Sequence, residues 1–86
     1  MTQVINQEIQ VNAVYFAGRE LRTFPREIEY SGQAVTFSSG LRYLLRRDGQ
    51  TIRLFDMRAE DGLVYRLEND GQRWKLLRLK TEGALA

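Results

Sequence analysis

Three Asp-Gly dipeptides, at 48–49, 61–62 and 70–71, constrain this chain more than anything else in it. Asp-Gly favours the primed two-residue turns whose twist suits a β-hairpin. Each lies between segments rich in β-branched, aromatic and leucine residues, and Ser31-Gly32 and Ala17-Gly18 add two weaker turn sites. The sequence therefore reads as serial antiparallel hairpins.

Register tests the Asp48-Gly49 turn. A two-residue loop pairs Arg47 with Gln50, Leu45 with Ile52 and Tyr43 with Leu54, which puts all four apolar residues on one face. A slip by one residue scatters them, so the pattern selects the two-residue loop. The same loop at Asp70-Gly71 pairs Leu67 with Trp74, Tyr65 with Leu76 and Glu68 with Arg73. It also sets Arg66 against Lys75, a like-charge pair that needs an anion, open solvent or Glu68 beside it.

Upstream, Gln7 to Phe16 reads as a strand, and a turn at Ala17-Gly18 places Val14 opposite Leu21. Pro25 implies a bend, bulge or edge position. Arg26–Tyr30 and Ala34–Phe37 form a short hairpin about Ser31-Gly32, and Ser38-Ser39-Gly40 links it to the next strand. The expected fold is all-β: an antiparallel meander of about seven strands, closed into a small barrel or strongly bent so that neither face lies bare. Residues 1–6 are expected as a flexible lead, 7–80 as one β domain and 81–86 as a disordered tail. The core is expected from Val14, Leu21, Ile28, Val35, Phe37, Tyr43, Leu45, Ile52, Leu54, Tyr65, Leu67, Trp74 and Leu76.

Composition removes several chemistries. Among 86 residues there is no cysteine and no histidine. Disulfides, thiolate metal sites and the usual near-neutral acid–base group are thus excluded. Ser31, Ser38 and Ser39 sit where turns need serine. The carboxylate groups Glu27/Glu29, Glu60-Asp61 and Glu68/Asp70 lie on strand faces or beside turns, and lack the spacing of a calcium loop. No apolar run reaches membrane-spanning length, and no secretory leader is visible. The expectation is a cytoplasmic, non-enzymatic domain with no cofactor or metal.

Charge is unevenly placed. Residues 41–80 carry ten basic against six acidic side chains, and eleven of the thirteen basic residues in the chain are arginine. With Tyr43, Leu45, Ile52 and Leu54 inward, the opposite face presents Arg42, Arg46, Arg53 and Phe55, and the last hairpin adds Arg66, Arg73 and Lys75. That basic and apolar surface is the candidate binding face. It suits a protein partner or self-association. Single-stranded nucleic acid stacked on Phe55 is the alternative, and a carboxylate enzyme comes third.

Two segments resemble a class of small bacterial all-β domains of unknown function. They are Asp61-Gly62-Leu63-Val64-Tyr65-Arg66-Leu67 with Gly71-Gln72-Arg73-Trp74-Lys75-Leu76, and Pro25 through Gly32. Tyr30 stands where such domains often carry a further tryptophan. The resemblance implies a small β domain, mostly free-standing, and in some cases appended to DNA-handling enzymes.

Overall fold

The structure is a computed structural model that describes residues 2–81. It has six antiparallel strands in chain order: β1 (Thr2–Ala17), β2 (Arg22–Tyr30), β3 (Gln33–Arg47), β4 (Gln50–Ala59), β5 (Leu63–Asn69) and β6 (Trp74–Thr81). Each pairs with its sequence neighbours, and β1 pairs with β6, so the meander closes into a barrel. The expected all-β barrel of serial hairpins is what forms. The strand count falls to six where Ser38-Ser39-Gly40, expected as a link, joins two expected strands into one.

β2 runs through Pro25 with the bulge expected there: Ala13 pairs with Glu27 and Val14 with Pro25, which leaves Arg26 as an extra residue on β2. The guanidinium of Arg26 lies 4.2 Å from the centre of the Tyr15 ring. Ser38-Ser39-Gly40 lies inside β3 at a bulge between Phe37 and Ser39. A glycine mid-strand marks a close approach. A Cβ added at Gly40 would meet the Met57 side chain and come within 2.9 Å of the Asp56 carbonyl oxygen. Gly40→Ala is therefore expected to lose about 1–3 kcal/mol through overpacking. The loss should be read as a lower denaturant midpoint at unchanged slope.

β1 and β3 each change partners along their length. β1 pairs with β6 from Thr2 to Ile9 and with β2 from Gln10 onward. β3 pairs with β2 only from Gln33 to Thr36, and with β4 from Phe37 to Arg47. These bends let six strands wrap one core. Within the β6-paired part of β1, Asn6 is held at φ 51°, in the left-handed region that asparagine tolerates, where the register shifts between Val4 and Gln7.

Residues 2–6, expected as a flexible lead, are the first part of β1. Thr81, expected in the tail, ends β6. The rest of that expected tail, 82–86, lies outside the described residues.

The turns divide into two kinds. At Asp48-Gly49 both residues have positive φ, 50° and 78°, as do Ser31 and Gly32 at 56° and 75°. Both are the expected two-residue hairpin loops, and Arg47 pairs with Gln50, Leu45 with Ile52 and Tyr43 with Leu54 as the sequence implied. The other three hairpins differ. At Asp61-Gly62 only Gly62 has a positive φ, 85°, and its amide donates to the Ala59 carbonyl at 3.2 Å, so the loop runs over three residues, Glu60 to Gly62, in place of the expected two. Ala17 pairs with Arg22, leaving a four-residue loop with a bond from the Leu21 amide to the Gly18 carbonyl. Val14 therefore faces Pro25, and Leu21 is in the loop, 68% exposed.

At Asp70-Gly71 the structure corrects the register. Asn69 pairs with Trp74, Glu68 with Lys75 and Leu67 with Leu76. The Asp70 carboxylate accepts from the amides of Gln72 and Arg73, at 2.9 and 2.8 Å. These bonds wind a longer loop than the primed turn, and they hold the Asp70 carboxyl below the usual carboxylate range. Arg66 does not face Lys75. Lys75 sits opposite Glu68, a favourable cross-strand pair.

The core holds Ile28, Phe37, Phe55, Met57, Ala59, Tyr65, Leu67 and Leu76. Phe55 joins it to two other rings, edge-on to Phe24 at 6.0 Å and tilted against Trp74 at 5.3 Å. The expected core is right in Ile28, Phe37, Tyr65, Leu67 and Leu76, with Val35 and Trp74 packed at its margin. It is inverted in the central hairpin. Phe55 and Met57 point inward, while Tyr43 and Leu45 stay 41% and 37% exposed outside. Val14 is exposed as well, while Ile52 is buried as expected.

Candidate functional site

Partner-switching leaves one seam of the barrel incomplete. Among the described residues, β3 past Thr36 has a strand neighbour only on its β4 side, and β2 between Arg22 and Arg26 has one only on its β1 side. The two unpaired edges diverge toward the same end of the barrel. A groove of about 480 Å³ lies between them, lined by Arg22 and Phe24 on one wall and Arg42 and Leu44 on the other. Pro25, which has no amide hydrogen to offer a neighbour, stands in the open stretch of β2. No proline guards β3.

The groove runs into a second cavity at the barrel mouth. It has about 360 Å³ and is lined by Arg22, Thr23, Arg42, Arg53, Asn69 and Trp74, with Phe55 below. Arg42 pairs directly with Phe55 across the β3–β4 ladder, so both stand on the inward side of the hairpin. Phe55 closes the barrel and Arg42 sits above it. The Arg42 Nε is shielded from solvent and has no hydrogen-bond partner among the described residues. Burial, together with the positive charges of Arg22 and Arg53, holds this guanidinium below the usual arginine range. It remains protonated at neutral pH. Arg22 is partly neutralised, donating from Nε to Glu20 at 2.8 Å.

The seven residues of the expected binding face therefore part company. Arg42 and Arg53 meet at the mouth, and Arg46 extends the same side of β3 toward the hairpin tip. Phe55 is 2% exposed and belongs to the core, so it offers no stacking surface. Arg66 lies on the barrel's outside, donating to both Asp56 oxygens at 2.7 and 2.6 Å. Its charge also stands 5.9 Å from the centre of the Tyr43 ring. Arg73 and Lys75 border a different recess, beside Glu8, Glu68 and Asp70. Sequence reasoning missed Arg22 and Trp74 at the mouth, since nothing local ties the start of β2 to the middle of β3.

The outward side of the open β3 segment is apolar. Leu41 and Tyr43 are exposed, as is Leu45, and Leu44 is 58% exposed on the groove side. The carboxylates have other work. Asp61 accepts from the Leu63 amide and from the Tyr65 hydroxyl, at 2.9 and 2.7 Å. Burial and that bond push the Tyr65 hydroxyl above the ordinary tyrosine range. Glu27 accepts from Asn12. Among the described residues no group of three or more acidic side chains converges to hold a metal.

With the groove and mouth described, comparison with known proteins adds nothing: no family model, curated protein or solved structure matches the chain.

Proposed function

We propose that this domain is a non-catalytic interaction module that captures an extended, acidic polypeptide segment on the open edge of β3. One observation carries the reading. Among the described residues, β3 has no strand on one edge from Ser38 through Arg47, beyond the Phe37 carbonyl that takes a bond from Arg26, and this edge lies beside a groove with four exposed apolar side chains. An unpaired edge offers a row of backbone donors and acceptors, and a partner strand can complete it. Alternate side chains of that strand would point into the groove.

Charge selects the occupant. Arg19, Arg22 and Arg42 line the groove against one carboxylate, Glu20, which is bonded to Arg22. Arg46 and Arg53 share the Arg42 side of the β3–β4 hairpin. A second copy of β3 would bring its own Arg42 and Arg46 against these groups, which disfavours self-pairing. An acidic strand meets them favourably. Single-stranded nucleic acid also carries negative charge, but the ring it was expected to stack on, Phe55, is buried.

The test is an amide chemical-shift titration with a ten-residue peptide alternating glutamate and valine, and with a lysine–valine counterpart. Shifts should concentrate in Arg22–Arg26 and Leu41–Arg47 for the acidic peptide alone. Arg46→Glu should weaken binding by about fivefold to tenfold and flatten its salt dependence. Failure of the acidic peptide to shift these amides, or tighter binding of an oligothymidine, would overturn the reading.

A further inference from the structure

The mouth cavity differs from the groove that leads to it. The groove is a backbone edge with apolar walls, whereas the cavity gathers three guanidiniums, from Arg22, Arg42 and Arg53, with the Asn69 amide and the Trp74 ring. Those arginines come from three strands that meet only in the folded barrel, β2, β3 and β4. Such convergence places like charges together. Arg42 among them has a shielded Nε that meets no acceptor among the described residues.

We infer that this cavity is a site for one dianionic phosphate group, carried by the polypeptide segment that the β3 edge captures. The inference rests on that reading of the edge, and adds the group that anchors the partner. Charge is the first support. Three guanidiniums, less the one Glu20 carboxylate bonded to Arg22, leave two positive charges around the cavity. A dianion cancels them, while a single carboxylate leaves one over. Geometry is the second. Guanidiniums present planar forks of donors that suit phosphate oxygens, and the shielded Arg42 Nε has no acceptor of its own among the described residues. Position is the third. Arg22 and Arg42 line both groove and cavity. A strand lying along β3 would thus direct one of its groove-facing side chains to the mouth.

The experiment uses the whole chain and two probes. Inorganic phosphate is titrated against sodium chloride at matched ionic strength, following the side-chain Nε–H signals of Arg42 and Arg53 and the Trp74 indole. Saturable shifts with phosphate are expected, and Arg53→Gln should weaken them by about tenfold. The acidic peptide is then compared with a version carrying one phosphoserine, which should bind about tenfold more tightly to the native protein and with no advantage to Arg53→Gln. Equal effects of phosphate and chloride would overturn the inference. So would equal affinity for the two peptides, and in that case the edge reading stands. Loss of both peptides with phosphate binding intact would overturn the edge reading, and the polypeptide source with it. A 5′-phosphorylated oligonucleotide binding more tightly than the phosphopeptide would likewise overturn the polypeptide source.

Discussion

Phe55→Ala is expected to destabilise the domain by about 3–5 kcal/mol, the usual loss for emptying a phenylalanine site in a closed core. Phe55 is 2% exposed and touches rings on two other strands, Phe24 and Trp74. Its removal opens a void between β2, β4 and β6 where close-packed rings leave nothing nearby to fill the space. A domain of this length has on the order of 4–13 kcal/mol in all. The melting temperature should therefore fall by roughly 15–30 °C. Tyr43→Ala and Leu45→Ala, on the same hairpin but outside, should each lose less than about 1.5 kcal/mol. Thermal unfolding of the three variants decides which hairpin face is the core. If Phe55→Ala is too unstable to purify, Phe55→Leu should still lose more than Tyr43→Ala.

The next largest effect is expected at the ion pair on the barrel's outside. Asp56 is 8% exposed and takes two short bonds from Arg66, whose side chain keeps 22% of its surface in solvent. Burial alone would push the Asp56 carboxyl up. The bonds and charge of Arg66, with the charges of Lys80 and Arg78, outweigh burial and hold it below the usual carboxylate range. Removing one partner leaves the other shielded and unpaired. Asp56→Ala should lose about 2–3 kcal/mol, less than the ~3–5 kcal/mol of a fully buried pair, because Arg66 can reach water. A carboxyl with a lowered folded-state pKa contributes stability that is present above its unfolded value, about pH 4, and is lost as pH falls through its folded value. The native protein should therefore show a steeper acid decline below about pH 4 than Asp56→Asn does. Parallel acid limbs in urea melts from pH 7 to pH 2 would contradict this.

The two-residue loops at Ser31-Gly32 and Asp48-Gly49 were legible because positive φ at two successive residues is a local property of those dipeptides. With the loop fixed, the β3–β4 register followed as far as Tyr43 and Leu54. Asp70-Gly71 offers the same dipeptide but a different outcome. There the aspartate side chain finds the Gln72 and Arg73 amides, and the loop lengthens. Competition of that kind between side-chain and backbone bonds is not visible in a dipeptide.

The face of the central hairpin lay beyond the sequence for another reason. β4 carries Ile52 and Leu54 on one side and Phe55 and Met57 on the other, so alternation alone could not say which side is inside. Ring closure decided it, by turning Phe55 and Met57 toward Leu67 and Leu76. The basic face divided with it. Arg42 and Arg53 went to the mouth with Arg22, while Arg66 went outside to Asp56.

The sequence by itself determined the class of fold, the hairpin order and two of the turns, because these depend on residues close along the chain. Only the tertiary structure decided which face is core, where the seam opens and which arginines meet. Those depend on strand curvature and on the partner changes of β1 and β3, where a bulge or a glycine sets direction but its effect is felt only when the ring closes.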